Sequence, residues 1–125
     1  MRVAINALVI RNGHILLAKK RNTWILPGGK PEKDESDIEC LLREVTKEEI
    51  PGTELTNIRF YENFEGMAPY RGDIIQVKVY FADIQGEIKP GAEIVDVRWV
   101  KDFNNLNLSD ITKQIIESLK NNGHL

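Results

Sequence analysis

GGKPEKDESDIECLLREVTKEEIPG, residues 28–52, is the stretch on which the reading of this chain turns. Its paired glycines follow Pro27 and lead through an acidic loop. Ser36 and Glu39 then form a capping box, each side chain satisfying a free backbone N–H at a helix start. Ile38, Leu41, Leu42 and Val45 recur at the spacing of one buried helical stripe. Pro51-Gly52 stops the helix, because the residue before a proline is pushed out of the helical region. With Ile38 set at zero, a step of about 100° per residue places Leu42 and Val45 within about 40° of it. Glu44 and Glu48 lie about 40° apart on another sector, one above the other. The stretch therefore predicts a loop–helix–loop, apolar on one side of the helix and acidic on another.

Upstream, residues 3–10 and 14–19 are apolar, β-prone runs joined by Asn12-Gly13, a strong hairpin signal. A third run, residues 23–26, ends at Pro27-Gly28-Gly29. Downstream, strand texture returns over residues 57–83 and is interrupted at Gly72-Asp73. Residues 86–91 read as a loop and residues 94–100 as another strand. Ser109 caps a last helix with apolar positions Ile111, Ile115, Ile116 and Leu119. No repeat or low-complexity linker appears. The expectation is one domain over residues 1–125, of α+β (α/β) class, with a mixed β-sheet and helices packed on it.

The composition narrows the function. At 125 residues with 42% apolar content, the chain can bury a core. Its 17 Lys and Arg against 19 Asp and Glu give a net charge of −2. The basic excess needed to bind nucleic acid through its phosphates is missing. The single cysteine, Cys40, excludes an internal disulfide and a cysteine-rich zinc site. No apolar run reaches the roughly 18 residues of a membrane span. The expectation is a cytoplasmic protein, monomer or homodimer, with no membrane or nucleic-acid partner.

Stacked like charges such as Glu44 and Glu48 oppose helix formation unless something neutralises them. A hard divalent cation does so, and Mg2+ prefers a few carboxylates plus water and phosphate oxygens. On the pair alone the commoner case is a solvated glutamate face with Lys neighbours, and it is the one favoured.

The spacing adds more. The segment resembles the Nudix box: glycine, five variable residues, glutamate, seven variable residues, then Arg-Glu-apolar-x-Glu-Glu-x-Gly-apolar. Gly29, Glu35, Arg43, Glu44, Val45 and Glu48 match, six of nine defined positions over 23 residues. Leu26-Pro27-Gly28 is similar to the family's approach to the box. Lys47, Ile50 and Pro51 depart from it. Lys47 stands where the family places a metal-binding glutamate, and it is expected to pair with a neighbouring carboxylate. Sliding the register to make Glu48-Glu49 the pair would put Glu49 about 140° from Glu44 on an α-helix, towards the buried stripe.

The resemblance implies the Nudix fold, a mixed sheet sandwiched between α-helices, and Mg2+-dependent (or Mn2+-dependent) hydrolysis of a phosphoanhydride bond. The implied substrate is a small nucleotide, first a nucleoside triphosphate cleaved in the MutT manner. The alternatives are ADP-ribose or another nucleotide sugar, or binding without cleavage, which Lys47 motivates. Glu44 and Glu48 would hold the cation with the Gly28 carbonyl, and Glu44 is also a candidate base. Glu93, six residues before Trp99, would join them from a loop. Arg43 and Glu35 would lock the loop to the helix. Lys20 and Arg21 would face phosphate, and Asn107 would read the base. Trp24, Tyr61, Phe64 and Tyr70 are aromatics for stacking or core, and Glu62, Glu65 and Asp73 further acids for metal or surface.

Overall fold

The computed structural model describes residues 2–69 and 71–125; Tyr70 lies outside them. The hairpin forms at Asn12-Gly13, both with positive φ (53° and 75°), as a tight two-residue turn requires. It joins β2 (Ile10–Arg11) to β3 (His14–Lys20), with Arg11 opposite His14. The run at residues 3–10 is not one strand. β1 (Arg2–Leu8) belongs to the other sheet, parallel to β7 (Ile74–Gln85), and the chain crosses between sheets at buried Val9.

One sheet has the order β5 (Gly28–Gly29), β1, β7, β6 (Glu54–Met67). It is mixed, since only the β1–β7 pair in it is parallel. The other is centred on β3, flanked by β2, β4 (Thr23–Ile25) and β8 (Ile94–Val100). The period of two along β1 feeds two cores. Ile5, Ala7 and Val9 meet Cys40, Leu41 and Val45 of the first helix. Ala4 and Leu8 go to the other side, with Leu17, Ile75, Val77 and the last helix. That helix, α2 (Asp110–Asn121), is capped by Ser109 and buries Ile111, Ile115, Ile116 and Leu119 as the sequence predicts.

The first helix departs from expectation twice. Its α-helical part, α1, covers only Asp37–Leu41, and Leu42–Glu49 continues as a π-helix, bonded i→i+5. Ile50 N–H accordingly reaches the Val45 carbonyl at 2.8 Å. The apolar stripe also faces differently: Leu41 and Val45 are buried, but Ile38 is 46% and Leu42 36% exposed. Asp37 sets this rotation. It accepts a hydrogen bond from Tyr80 and pairs with Lys78 at 3.6 Å, both on β7, so the Asp37–Leu41 line faces the sheet. Among the described residues no helix is long and apolar enough to cross a membrane.

Candidate active site

The glycine turn is built by close approach. Gly28 has φ 149°, and a Cβ there would lie 2.1 Å from the Ile5 carbonyl oxygen of the neighbouring strand. At Gly29 a Cβ would lie 2.3 Å from Glu44 Oε2. Only glycines let the backbone reach both β1 and the carboxylate.

Glu49, which an α-helical register turns towards the buried stripe, reaches the glycine turn instead. It is buried, 8% exposed, and its Oε1 accepts the Gly28 N–H at 2.8 Å. The α-helical angle that set it apart from Glu44 does not apply here, because i→i+5 bonding stacks residues five apart. Glu44 and Glu49 thereby flank the two glycines. The signal was present in the sequence: the Glu-Glu pair and the closing glycine both come late against the box. An extra residue inserted in a helix is what a π-turn absorbs, often at functional sites. Lys47 lies within the π-helical stretch. It is exposed and forms no ion pair with a described residue, contrary to the expected pairing with a carboxylate.

Burial is the main reason the carboxyls resist ionising. Glu49 is pushed up to about 8 despite the opposing Gly28 N–H, and Glu44 is raised by burial and by the charge of Glu48. Arg43 offsets part of this. Its guanidinium makes a bidentate contact with Glu35 (2.8 and 2.9 Å), donates to the Lys30 carbonyl at 3.0 Å, and reaches Glu44 at 2.6 Å and Glu48 at 3.1 Å. These contacts hold the Glu35 carboxyl down at about 2, and the Glu32 N–H adds to the effect.

The structure places the remaining candidates as follows. Lys20 pairs with Glu93 at 3.0 Å; Glu93 is 77% exposed on its loop, and this pairing lowers its pKa. Arg21 sits in an exposed turn with φ 55°. Asn107 does not itself line the cavity but bonds a residue that does: its amide donates to the Asn22 carbonyl (3.0 Å) and to the hydroxyl of the cavity residue Thr23 (3.3 Å), stapling β4 to the segment before α2. Trp24 and Phe64 are core, and Tyr61 is bonded to Ser118 at 2.6 Å. Asp73 pairs with Arg2, and Glu62 and Glu65 are exposed on β6. Cys40 is buried and its thiol is pushed up to about 12 by burial.

Beside the glycine turn opens a cavity of about 280 Å³ between the two sheets. Glu49, Gly28, Lys20 and Lys30 line one end, and Arg2 and Arg71 the other. The walls between are aliphatic, among them Ala4, Leu26, Val77 and Ile111. Among the described residues no three acidic, histidine or cysteine side chains form a ready cluster, and Arg43 bridges Glu44 to Glu48. The donors around the turn nevertheless suit a hard divalent cation. They are all oxygens, and two of them are carboxyls that burial keeps from ionising without a positive partner.

An acidic helix packed against a glycine turn, at the mouth of a cation-lined cavity, belongs to the pyrophosphohydrolases. A family model for the NUDIX domain matches residues 1–117, and the chain belongs to the Nudix family. The crystal structure of a MutT NUDIX hydrolase from Burkholderia pseudomallei is similar with TM-score 0.80 and 26% identity, over 93% of this chain and 95% of that one. A UDP-X diphosphatase shares the fold (TM-score 0.77, 23% identity) over 99% of this chain and 64% of its own. A bifunctional NMN adenylyltransferase/ADP ribose pyrophosphatase from Francisella tularensis, complexed with AMP and Mn ion, matches at TM-score 0.66 and 25% identity, over 97% and 41%. Comparison with curated proteins gave no match.

Proposed function

We propose that this protein is a Mg2+-dependent nucleoside triphosphate pyrophosphohydrolase, with Glu44, Glu48 and Glu49 as the carboxylates that hold the metal. The observation that carries the reading is the π-turn. It sets Glu49 against Gly28, five residues beyond a Glu44 that lies against Gly29. The family's glutamate pair is then supplied by Glu48-Glu49, and Lys47 stands outside it. The reading of a disabled, binding-only domain loses its motive.

In this scheme Glu44, Glu48, Glu49 and the Gly28 carbonyl hold the cation, with Glu93 as a further carboxylate on the facing loop. Bound Mg2+ would polarise the phosphoryl group and lower the pKa of an attacking water. Arg43 and Glu35 keep the acidic helix in register with the turn. Lys20 and Lys30 place positive charge where a triphosphate enters. A cavity of about 280 Å³ is at the small end for ligand pockets, which run roughly 300–1,000 Å³. That suits one nucleoside inside, with the phosphates over the glycines, better than a nucleotide sugar.

Release of nucleoside monophosphate from nucleoside triphosphates, ADP-ribose and other nucleotide sugars, with Mg2+, Mn2+ or chelator, tests this directly, the co-product being pyrophosphate from the triphosphates and a sugar phosphate from the nucleotide sugars. The expected result is metal-dependent release from a nucleoside triphosphate, lost in Glu44→Gln and Glu48→Gln. Release from the sugars alone would move the substrate class. Silence across the panel, with a thermal shift on adding nucleotide, would overturn the assignment of catalysis.

A further inference from the structure

β1 turns every second residue towards the cavity side, as a strand must. Arg2, Ala4 and Asn6 line the cavity and Leu8 follows in the core. In the paired strand Ile75, Val77 and Val79 run alongside (Arg2↔Ile75, Ala4↔Val77, Asn6↔Val79). Beyond Arg2 at its far rim, this face is aliphatic except for one amide. The Asn6 side chain is half-buried and makes no hydrogen bond with a described residue. Nor is it sealed off, so its partner is whatever fills the cavity. An amide on an otherwise aliphatic face, left by the protein to whatever enters the cavity, is available to hydrogen-bond a ligand there.

Its place along the cavity says what it meets. Asn6 pairs with Gly28 across the strands, and its Oδ1 would lie 2.7 Å from a Cβ on that glycine. The same Gly28 donates its N–H to Glu49. Asn6 is therefore at the acidic end, Ala4 is next, and Arg2 lies at the far rim about 13 Å along the strand. A nucleotide with its phosphates at the Glu49 end lays its sugar over Asn6 and its base over Ala4 and Val77. An amide carries both a donor and an acceptor, and so does a ribose hydroxyl.

We propose that Asn6 is a specificity-determining residue that hydrogen-bonds the sugar hydroxyl of the substrate, so that the enzyme prefers ribonucleotides to 2′-deoxyribonucleotides. This rests on the hydrolase reading for the direction in which the substrate lies.

The test compares matched ribo- and 2′-deoxyribonucleoside triphosphates on wild type, Asn6→Ala and Asn6→Leu. It adds dissociation constants for the corresponding α,β-methylene analogues, which cannot be cleaved. Wild type is expected to favour the ribo form by about tenfold, the worth of one well-placed hydrogen bond, chiefly in KM. Both variants should bring the two sugars to parity, with melting temperatures no lower than wild type. A wild-type ratio of one, or a preference that survives in both variants, overturns the proposal. Turnover without sugar discrimination removes the Asn6 assignment alone. Analogue binding that discriminates sugars, without any turnover, removes the hydrolase reading and leaves Asn6 in place.

Discussion

The helix at residues 37–49 and the helix at Asp110–Asn121 start alike. In each, a serine hydroxyl accepts the N–H three residues on, Ser36 from Glu39 and Ser109 from Thr112, both at 3.1 Å. They diverge after the first turn. α2 keeps α geometry throughout and buries residues at ordinary three- and four-residue spacing. The first helix must do several things at once. It buries Leu41 and Val45, sets Glu44 against Gly29, and brings Glu49 to Gly28. The Glu49 carbonyl also accepts the Gly91 N–H at 2.9 Å. On an α-helix, residues five apart fall about 140° apart, so Glu44 and Glu49 could not both face the turn. Bonding i→i+5 lets them. A helix that serves only the core keeps the regular form, and one that serves a site is fitted to the site.

The largest contrast should appear in stability. Leu119→Ala empties a fully buried position of α2 and should remove about 2–5 kcal/mol. Leu42→Ala, on the exposed side of the first helix, should remove about 0.5 kcal/mol or less. Urea denaturation of both variants decides this, and equal losses would show that the first helix is rotated differently.

Activity sharpens the comparison within the widened turn. Glu49→Gln should lower kcat/KM by at least roughly 10–100-fold, the effect of losing even an outer partner of a metal ligand. Lys47→Glu should stay within about twofold, as for other surface substitutions. The reverse pattern, with a gain from Lys47→Glu, would restore the α-helical register and the metal-poor site it implies.

The smallest effect concerns acid. Glu35 is held at about 2 in the folded protein, against an ordinary 4.5. A depressed carboxyl contributes stability that is whole above the unfolded value and lost as pH falls through the folded one. Glu35→Gln should therefore lessen the loss of stability between pH 4.5 and 2. Glu117→Gln on α2, where no ion pair forms among the described residues, should leave it unchanged. A pH titration of the melting temperature of each variant checks this, and identical curves would remove Glu35 from the loop's support.

Much of the fold was legible because it is written in short range. The Asn12-Gly13 turn, the two serine caps and the stop at Pro51-Gly52 each depend on a few adjacent residues. So did the contact of Arg43 with Glu35, which the box spacing implied. Asn107 shows the opposite case. Its segment resembled a base-reading position, yet its amide is taken by Asn22 and Thr23, 85 and 84 residues earlier in the chain. Nothing local in FNNLN announces that.

The sequence by itself determined the hairpin, the capped helices, the family and the acidic character of the site, because local backbone preference and residue spacing suffice for them. Tertiary structure alone decided that the first apolar run splits between two sheets at Val9, and that Ile38 and Leu42 face outward. It also fixed the contact by which Glu49, late in the box, reaches the Gly28 N–H. Each of these answers to distant partners satisfied together: Tyr80 and Lys78 on β7 for Asp37, and Gly28, 21 residues away, for Glu49. A buried carboxyl needs a hydrogen bond wherever the fold can provide one, and here the helix widened to reach it.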